Sequence, residues 1–217
     1  MRIGSVSWIK KGTYFENAVM LEGHVDFVEL LVYTWNDDLK DMLEREWPDL
    51  KRLELSYTVH LPTDSIERCA CAYAFFKEKN IPIRHFVLHP LPGWEGFIAG
   101  KEDVLLENMI RSNAVFRMMA LDIGHLCLSK KEQDIFTDER LKAIKEIHLH
   151  GVFGNRDHAK LNNRTIRYFS ELQMKHHLLR EALSRPETHL NFEIFDYKKF
   201  LESLRRFKDA YTRCESA

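Results

Sequence analysis

The sequence predicts an α/β fold, a compact (β/α)8 TIM barrel with some reduced helices. Six short apolar runs each end on a residue type that commonly binds metal, and helix-like stretches separate most of the runs. Because the reacting groups of such a barrel lie at the carboxyl ends of its strands, this order predicts strand ends that converge on one site. The polar residues that end the runs are His60, His89, Glu107, Asp122, His148 and Glu193.

The length of the chain limits the size of the barrel. The chain has 217 residues, whereas TIM barrels typically contain about 250 residues and rarely fewer than about 200. Roughly eight strand–helix units must therefore be compact and joined by short loops. The sequence shows no internal repeat, low-complexity tract or linker, so we expect residues 1–217 to form a single domain.

Continuous apolar runs mark the first strands and are typical of a parallel sheet that is covered on both faces. Ile3–Trp8 predicts the first strand and Val25–Tyr33 the second. The third strand ends at His60, and the fourth and fifth contain Phe86 and Val104.

Helical spacing of apolar residues indicates the covering helices. Asp37–Trp47 is the first clear example, and either Asp64 or Ser65 can cap the helix that follows the third strand. The loop around Gly93 is too short for a full covering helix, and the segment between residues 107 and 119 is short as well. We therefore expect reduced helices on this side of the barrel.

The last third of the chain predicts two long helices. Ser129–Lys145 leads into the seventh strand. Thr165–Ser184 is the longest helical stretch and is ended by Pro186. Phe195–Tyr211 predicts a final amphipathic helix, whose inner side carries Phe200, Leu201, Leu204 and Phe207.

Composition and charge restrict the classes of partner. The chain is 45% hydrophobic and 30% charged, and its formal net charge is −1. No surplus of positive charge supplies the basic face that a nucleic-acid-binding protein usually has, so we expect no stable nucleic-acid partner. A signal-peptide h-region and an apolar stretch of about 18 residues are both absent, so we expect a cytoplasmic protein with no membrane partner.

Side-chain spacing places further polar groups at the predicted site. His150 shares a strand face with His148, and Asp122 and His125 are spaced so that they can reach two metals of one cluster. The pair Asp157–His158 lies in the loop after the seventh strand, which can fold over the mouth of the barrel. Buried polar groups are costly unless they are paired or coordinated, so one shared site is the simplest account of the whole set.

The chemistry of this set favours a cluster of divalent metals. Imidazoles and carboxylates without thiolates are typical ligands of zinc, manganese and iron, and we expect two or three ions per chain. The four cysteines match no zinc-finger spacing, so we expect them to be packing thiols. Below the site, His85 can line the lower interior of the barrel, and Glu29 is a further candidate for the interior.

The ordered set resembles the xylose-isomerase-like TIM barrel superfamily, and within it the endonuclease-IV-type branch of metal-dependent phosphodiesterases. That branch has a three-metal site with nine ligands. The resemblance implies that the ligands here are His60, His89, Glu107, Asp122, His125, His148, Asp157, His158 and Glu193. One departure is that Asp157 and His158 are adjacent, whereas the branch separates its loop acid and histidine by one residue, so His150 could replace one of them. The chain also has little room for the long recognition loops of the DNA enzymes.

A closer similarity is to the cobamide-remodelling phosphodiesterases. It implies hydrolysis of the nucleotide-loop phosphodiester of a cobamide, a small-molecule corrinoid substrate, which lets a cell replace the lower ligand. The segments that carry the similarity are Val25–Leu31, Ser56–Pro62, Leu121–Leu126, His148–Gly151, Phe192–Phe195 and Phe200–Leu204.

The resemblance also implies roles for individual residues. Glu107 would bridge the metals, and Glu193 or Asp122 would steer the attacking hydroxide, so these three are the candidate catalytic residues. Aromatic faces suit a flat macrocycle or a nucleotide base. The candidate substrate-binding residues are Trp94, Tyr33 and Trp8.

Three other functions remain open at the level of sequence. A sugar isomerase or epimerase on the same barrel would bind one metal through Glu107, Asp122, His148 and Glu193. An abasic-site DNA endonuclease is a second alternative, which the near-neutral charge and short loops disfavour. A corrinoid- or metal-binding module without enzymatic activity is the third.

Overall fold

The computed structural model describes residues 1–110, 118–130, 132 and 136–215, with side chains up to Tyr211. The short segment expected between residues 107 and 119 lies partly outside the described residues, as does part of Ser129–Lys145. Among the described helices, none combines the length and the apolar character that crossing a membrane requires.

The strands close into a barrel. In chain order they are β1 (Arg2–Val6), β2 (Phe27–Leu31), β3 (Ser56–His60), β4 (Ile83–Leu88), β5 (Val104–Glu107), β6 (Met119–Asp122), β7 (Ile144–Leu149), β8 (Gly151–Phe153), β9 (Arg156–Ala159) and β10 (His189–Phe192). Within the described residues, eight of these strands pair in parallel in the closed order β1-β10-β7-β6-β5-β4-β3-β2. The structure thus confirms the predicted α/β barrel.

Helices cover the outside of the barrel. In chain order they are α1 (Tyr14–Leu21), α2 (Asp37–Leu50), α3 (Ile66–Glu78), α4 (Trp94–Ile98), α5 (Ile123–Ser129), α6 (Asp138–Lys142), α7 (Asn163–Lys175), α8 (His177–Ser184) and α9 (Tyr197–Glu215). Side chains cap several first turns: Thr13 and Glu16 form a capping box at α1, and Ser65 accepts a hydrogen bond from the N–H of Arg68 at α3. The five residues of α4 agree with the expected reduction after β4.

The single long helix expected over Thr165–Ser184 is two helices, so that prediction is wrong. The backbone of His176 is extended, with φ −124° and ψ 95°, and it separates α7 from α8. The ring of His176 stacks on Phe136 with 4.3 Å between the centroids. No glycine or proline marks the break, and a contact with a distant segment is invisible to a local pattern. The longest helix in the described part of the chain is α9.

The segment after β7 is a hairpin rather than an irregular loop. β8 and β9 are antiparallel, and Gly154 makes the turn between them with φ +62°, a conformation that favours glycine. A Cβ atom on Gly151 would lie 1.9 Å from the carbonyl oxygen of Lys160, so the hairpin needs a glycine there as well. This hairpin carries Asp157 and His158.

The barrel interior is part apolar and part polar. Val87, Leu105 and Ala120 form a small apolar cluster, and each lies two residues before a polar strand end, on the same face of its strand. At the bottom, a Cβ atom on Gly4 would lie 2.2 Å from the ring of Phe27, so the glycine makes room for that ring. Other interior positions carry buried polar side chains, among them Glu29, Thr58, Glu146 and Asn191.

Candidate metal centre

Six of the expected ligands lie at or next to the carboxyl ends of barrel strands. They are His60 on β3, Glu107 on β5, Asp122 on β6 and His148 on β7, with His89 directly after β4 and Glu193 directly after β10. Asp122 pairs in register with His148, which places the two side by side. All of them are buried except His89, whose side chain is 21% exposed. The fold therefore brings these six residues to one mouth of the barrel.

The carboxylate of Glu107 lies at the centre of this group. Its Oε2 atom is 3.3 Å from Nε2 of His60 and 3.1 Å from Nε2 of His89. Its Oε1 atom is 3.2 Å from Nδ1 of His148 and 3.7 Å from Nδ1 of His125. The two oxygens thus face different sets of imidazoles, which is the arrangement that a carboxylate shared between two cations requires.

The described residues contain four groups of ligand atoms that lie within 4.8 Å of one another: one of Glu29, Glu146 and His148 in the interior, and three at the mouth. Those at the mouth are His60, His89 and Glu107; Glu107, Asp122, His148 and Glu193; and His125, His150 and His158. Imidazole and carboxylate donors at this spacing are the set that Zn²⁺, Mn²⁺ or Fe²⁺ prefers. The described residues therefore contain clusters of buried His, Asp and Glu that could hold metal ions.

Two buried atoms at the mouth lack any hydrogen-bond partner. They are Oε2 of Glu193 and Nδ1 of His158, which lie 3.6 Å apart. Oε2 of Glu193 is also 3.4 Å from Nδ1 of His148. Unpartnered buried polar atoms are costly, and cations between these atoms would satisfy them. The residues present thus fit the metal centre that the resemblance implies.

Hydrogen bonds from neighbouring groups orient Asp122 and His125. Oδ1 of Asp122 accepts from the N–H of His125 at 2.6 Å, which also caps α5. Nδ1 of His125 lies 2.9 Å from the carbonyl oxygen of Asn108, so this nitrogen donates and Nε2 stays free as a ligand. The side chain of Asn108 binds both the N–H and the carbonyl of Asp122, at 2.7 and 3.0 Å. The sequence analysis missed Asn108, although its place directly after Glu107 was a usable signal.

His150 contacts the site in a way that favours an orienting role. Its Nε2 atom is 3.2 Å from Oδ2 of Asp122, and its Nδ1 atom accepts the backbone N–H of His158 at 2.9 Å. Burial opposes the charging of this ring, but Asp122 raises the pKa of His150 to about 9. Nδ1 also lies 3.2 Å from the carbonyl oxygen of Gly151, so it can accept from His158 in a neutral ring or donate to Gly151 in a charged one, and Nε2 carries a proton in both. His150 then donates to Asp122 instead of offering Nε2 to a cation.

Asp157 and His158 lie at the rim, on the hairpin. Oδ2 of Asp157 is 3.7 Å from Nε2 of His125, and the side chain is 34% exposed. The backbone of His158 has φ +49°, a left-handed conformation that is costly for a residue other than glycine. This conformation turns the N–H of His158 toward His150 and its ring toward Glu193. Asp157 and His158 can therefore both reach the mouth of the barrel although they are adjacent in sequence.

Protonation of the site balances its charge in the absence of cations. Burial opposes ionisation of Glu107, but His148, His60 and His89 hold its pKa well below the usual range. Burial likewise opposes the charging of His148, but Glu193, Glu29 and Glu107 raise its pKa well above the usual range. Cations that bind here would therefore displace protons from the imidazoles.

A cavity of 340 Å³ opens onto this site. Its described lining contains no lysine or arginine that could neutralise the carboxylates; the residues are Tyr33, His60, Thr63, His89, Glu107, Met109, His125, Asp157, His158, Glu193 and Phe195. The cavity is small enough to admit one part of a ligand rather than a duplex.

The three expected substrate-binding aromatics lie in different environments. Tyr33 lines the cavity, and its ring meets that of His60 edge-on at 4.8 Å. Trp8 is 44% exposed and lies 5.3 Å from Tyr33, next to the mouth. Trp94 begins α4 and packs against the apolar core, outside the described cavity lining. Phe195, which the sequence analysis did not single out, lines the cavity with its ring 5.0 Å from His158.

Comparisons with known proteins bear on the fold. No family model matches the chain, and no curated protein matches it in sequence. A solved structure described as a D-tagatose 3-epimerase-like protein superposes with a TM-score of 0.69 at 16% identity, covering 100% of this chain and 99% of that one. At this identity the likeness concerns the fold alone. The chain thus shares its closed parallel eight-stranded α/β barrel fold with that structure.

Proposed function

We propose that the chain is a metal-dependent phosphodiester hydrolase that cleaves the nucleotide-loop phosphodiester of cobamides in corrinoid remodelling. The observation that carries the proposal is the position of Glu107, whose oxygens face His60 and His89 on one side and His148 on the other. A shared carboxylate suits a centre of two or three divalent ions, such as Zn²⁺, Mn²⁺ or Fe²⁺. A one-metal site formed by Glu107, Asp122, His148 and Glu193 would not use His60 and His89 as ligands.

Divalent ions bound here would supply Lewis acidity at the phosphate and a lowered pKa for an attacking water. The chain itself supplies an acceptor for the water's proton: Oε2 of Glu193 is buried and unpartnered, and although burial opposes its ionisation, His148 lowers its pKa. Burial also opposes ionisation of Asp122, but His125 and His150 lower its pKa to about 2, so this carboxylate stays charged. Asn108 holds the backbone of Asp122, and His150 contacts its carboxylate.

The mouth favours a small molecule with a flat, aromatic or conjugated part. Tyr33 and Phe195 line the cavity and Trp8 lies against Tyr33, so ring surfaces are present next to the carboxylates. Such faces can pack on a corrin macrocycle or on the base of a nucleotide loop. The net charge of −1 supplies no general attraction to a nucleic-acid backbone.

The decisive experiment is incubation of the metal-loaded protein with cobalamin, followed by mass analysis of the products. We expect two fragments whose masses add up to that of cobalamin plus one water. The Glu107→Gln variant should yield none, whereas the Glu95→Gln variant, which makes the same change at an exposed position, should behave as wild type. Intact cobalamin after incubation with a protein that hydrolyses abasic DNA or isomerises sugars would refute the proposal.

A sugar epimerase is the second candidate, because one group of residues is sufficient for it. Glu107, Asp122, His148 and Glu193 form a complete one-metal set, and the solved structure with the same fold is described as epimerase-like. Metal stoichiometry separates the two functions: about one ion per chain favours the epimerase, and two or three favour the hydrolase. His60→Ala and His89→Ala should leave an epimerase centre loaded but should remove an ion from a hydrolase centre.

A further inference from the structure

We infer that Glu146 is a positioning residue for His148: it accepts the Nε2 proton of that ring and so keeps Nδ1 turned toward the mouth. The inference rests on the proposed metal centre, because it concerns how one of its ligands is held. Glu146 lies two residues before His148 on β7 and points to the same side of the strand, one layer deeper in the barrel. It is 0% exposed.

The ring of His148 spans two layers of carboxylates. Its Nδ1 atom faces the mouth, 3.2 Å from Oε1 of Glu107 and 3.4 Å from Oε2 of Glu193. Its Nε2 atom faces the interior, 3.4 Å from Oε1 of Glu146 and 3.6 Å from Oε2 of Glu29. The ring can therefore serve the mouth through only one of its nitrogens.

The interior layer contains several buried atoms without a hydrogen-bond partner. They are Nε2 of His148, Oε1 of Glu146 and both carboxylate oxygens of Glu29. Three of these four atoms are carboxylate oxygens, and Nε2 of His148 lies 3.4 Å from Oε1 of Glu146 and 3.6 Å from Oε2 of Glu29. A proton on Nε2 is therefore within reach of Glu146 and leaves the lone pair of Nδ1 for a cation above.

Glu146 is better placed than Glu29 to be the acceptor, because it is anchored from below. Its Oε2 atom contacts Nε2 of His85, which is also buried and lies against the ring of His189, with centroids 4.8 Å apart. The column His85–Glu146–His148 thus runs along the barrel axis toward the mouth. A carboxylate behind a metal-binding imidazole fixes the ring and makes its free nitrogen a stronger ligand.

The test uses zinc, measured by competition with a chromophoric chelator, together with nitrogen-15 NMR of the histidine rings. In the zinc-loaded wild type, we expect His148 to show a zinc-bound Nδ1 and a slowly exchanging proton on Nε2. In Glu146→Gln, we expect the affinity for the zinc ion that contacts His148 to fall by about 10- to 100-fold. The Nε2 proton should exchange faster with water and its resonance should shift, because a neutral amide oxygen accepts a weaker hydrogen bond than a carboxylate. Glu202→Gln, which changes an exposed carboxylate paired with Lys160, is the matched control and should change neither quantity.

Several outcomes would overturn the inference. One is unchanged affinity and an unchanged Nε2 signal in Glu146→Gln. Another is an ion found by anomalous scattering between Glu29, Glu146 and His148, which would make these residues ligands of an interior metal. If the variant does not fold, the wild-type spectrum decides, because a protonated Nδ1 would be incompatible with the inference. If the zinc results are as expected but cobalamin stays intact, the proposed function is refuted. The inference about Glu146 would still hold in that case.

Discussion

Glu107 and His148 lie 3.2 Å apart, from Oε1 to Nδ1, although their strands β5 and β7 are separated in the barrel by β6. The contact crosses the mouth above Asp122, which ends the strand between them. The adjacent strands β5, β6 and β7 therefore each place one potential ligand close to the others: Glu107, Asp122 and His148. A closed barrel makes this possible because its strand ends form a ring, so side chains that are distant in sequence point at a common axis.

The first prediction concerns the shared carboxylate. Glu107→Gln keeps the shape of the side chain but removes the charge that faces four imidazoles, so we expect loss of at least one bound ion. Hydrolysis should fall by at least about 100-fold, the effect of removing one preorganised electrostatic group from an active site. Metal content by mass spectrometry and cobalamin turnover measure the two effects. Unaltered metal content would show that Glu107 is not a ligand.

The second prediction concerns the pH dependence of metal affinity. Burial opposes protonation of His60, but Glu107 and Glu29 raise its pKa to about 9 in the metal-free protein. A cation must displace that proton, so affinity for zinc should rise as the pH increases from 6.5 to about 9. Calorimetry in buffers of different ionisation enthalpy should detect the released protons. An affinity that is constant between pH 6.5 and 9 would contradict the charge balance described for the site.

The third prediction concerns the stability of the metal-free protein. The pKa of His60 is raised from 6.5 to about 9, and burial raises that of Glu29 from 4.5 to about 7 against the lowering effect of His148. A group whose pKa is higher in the folded state stabilises the fold below its unfolded pKa and loses that contribution as pH rises through its folded pKa. The Tm should therefore fall as the pH rises from about 6.5 to 9, and saturating zinc should remove much of this decline, because a zinc-bound His60 no longer carries that proton. A Tm that rises over this range without metal would contradict the prediction.

The strand ends of this barrel were predictable because each is marked locally, by an apolar run followed by a polar residue. An apolar run that stops at a histidine or an acid, as at His60 and Glu107, needs no knowledge of the rest of the chain. The closed parallel barrel followed from the order of these contrasts. His85 was also expected in the lower interior, where the structure places it against Glu146.

Features that depend on contacts between distant segments were not predictable in the same way. The break at His176 coincides with stacking on Phe136, and neither residue is unusual in its own helix or turn. Glu146 lies two residues before His148, so strand alternation alone puts both on one face, but its contact with His85 on β4 depends on the closed barrel. The orienting contact of His150 with Asp122 likewise depends on the position of His158 in a hairpin that no local pattern indicated.

The fourth prediction tests His150 without changing a polar residue. A Cβ atom on Gly124 would lie 1.9 Å from Cε1 of the His150 ring, so Gly124→Ala should displace that ring from Asp122. Overpacking of this kind costs about 1–3 kcal/mol, and we expect weaker metal binding at Asp122 as well. Gly96→Ala is the matched control, because nothing lies within 4 Å of a Cβ atom at that helical position. Equal Tm values and equal metal contents in the two variants would show that the contact with His150 has no role.

The last prediction separates the ring of His158 from its backbone. The residue has φ +49°, and a left-handed conformation costs a residue with a Cβ atom roughly 1–2 kcal/mol relative to glycine. His158→Gly and His158→Ala both remove the ring that faces Glu193, so they should lose the same part of metal binding. His158→Gly should nevertheless be the more stable of the two by about 1 kcal/mol, or about 2–4 °C in Tm for a domain of this size. If His158→Ala is as stable as His158→Gly, the strain is absent, and the hairpin is not held in this conformation by the site beneath it.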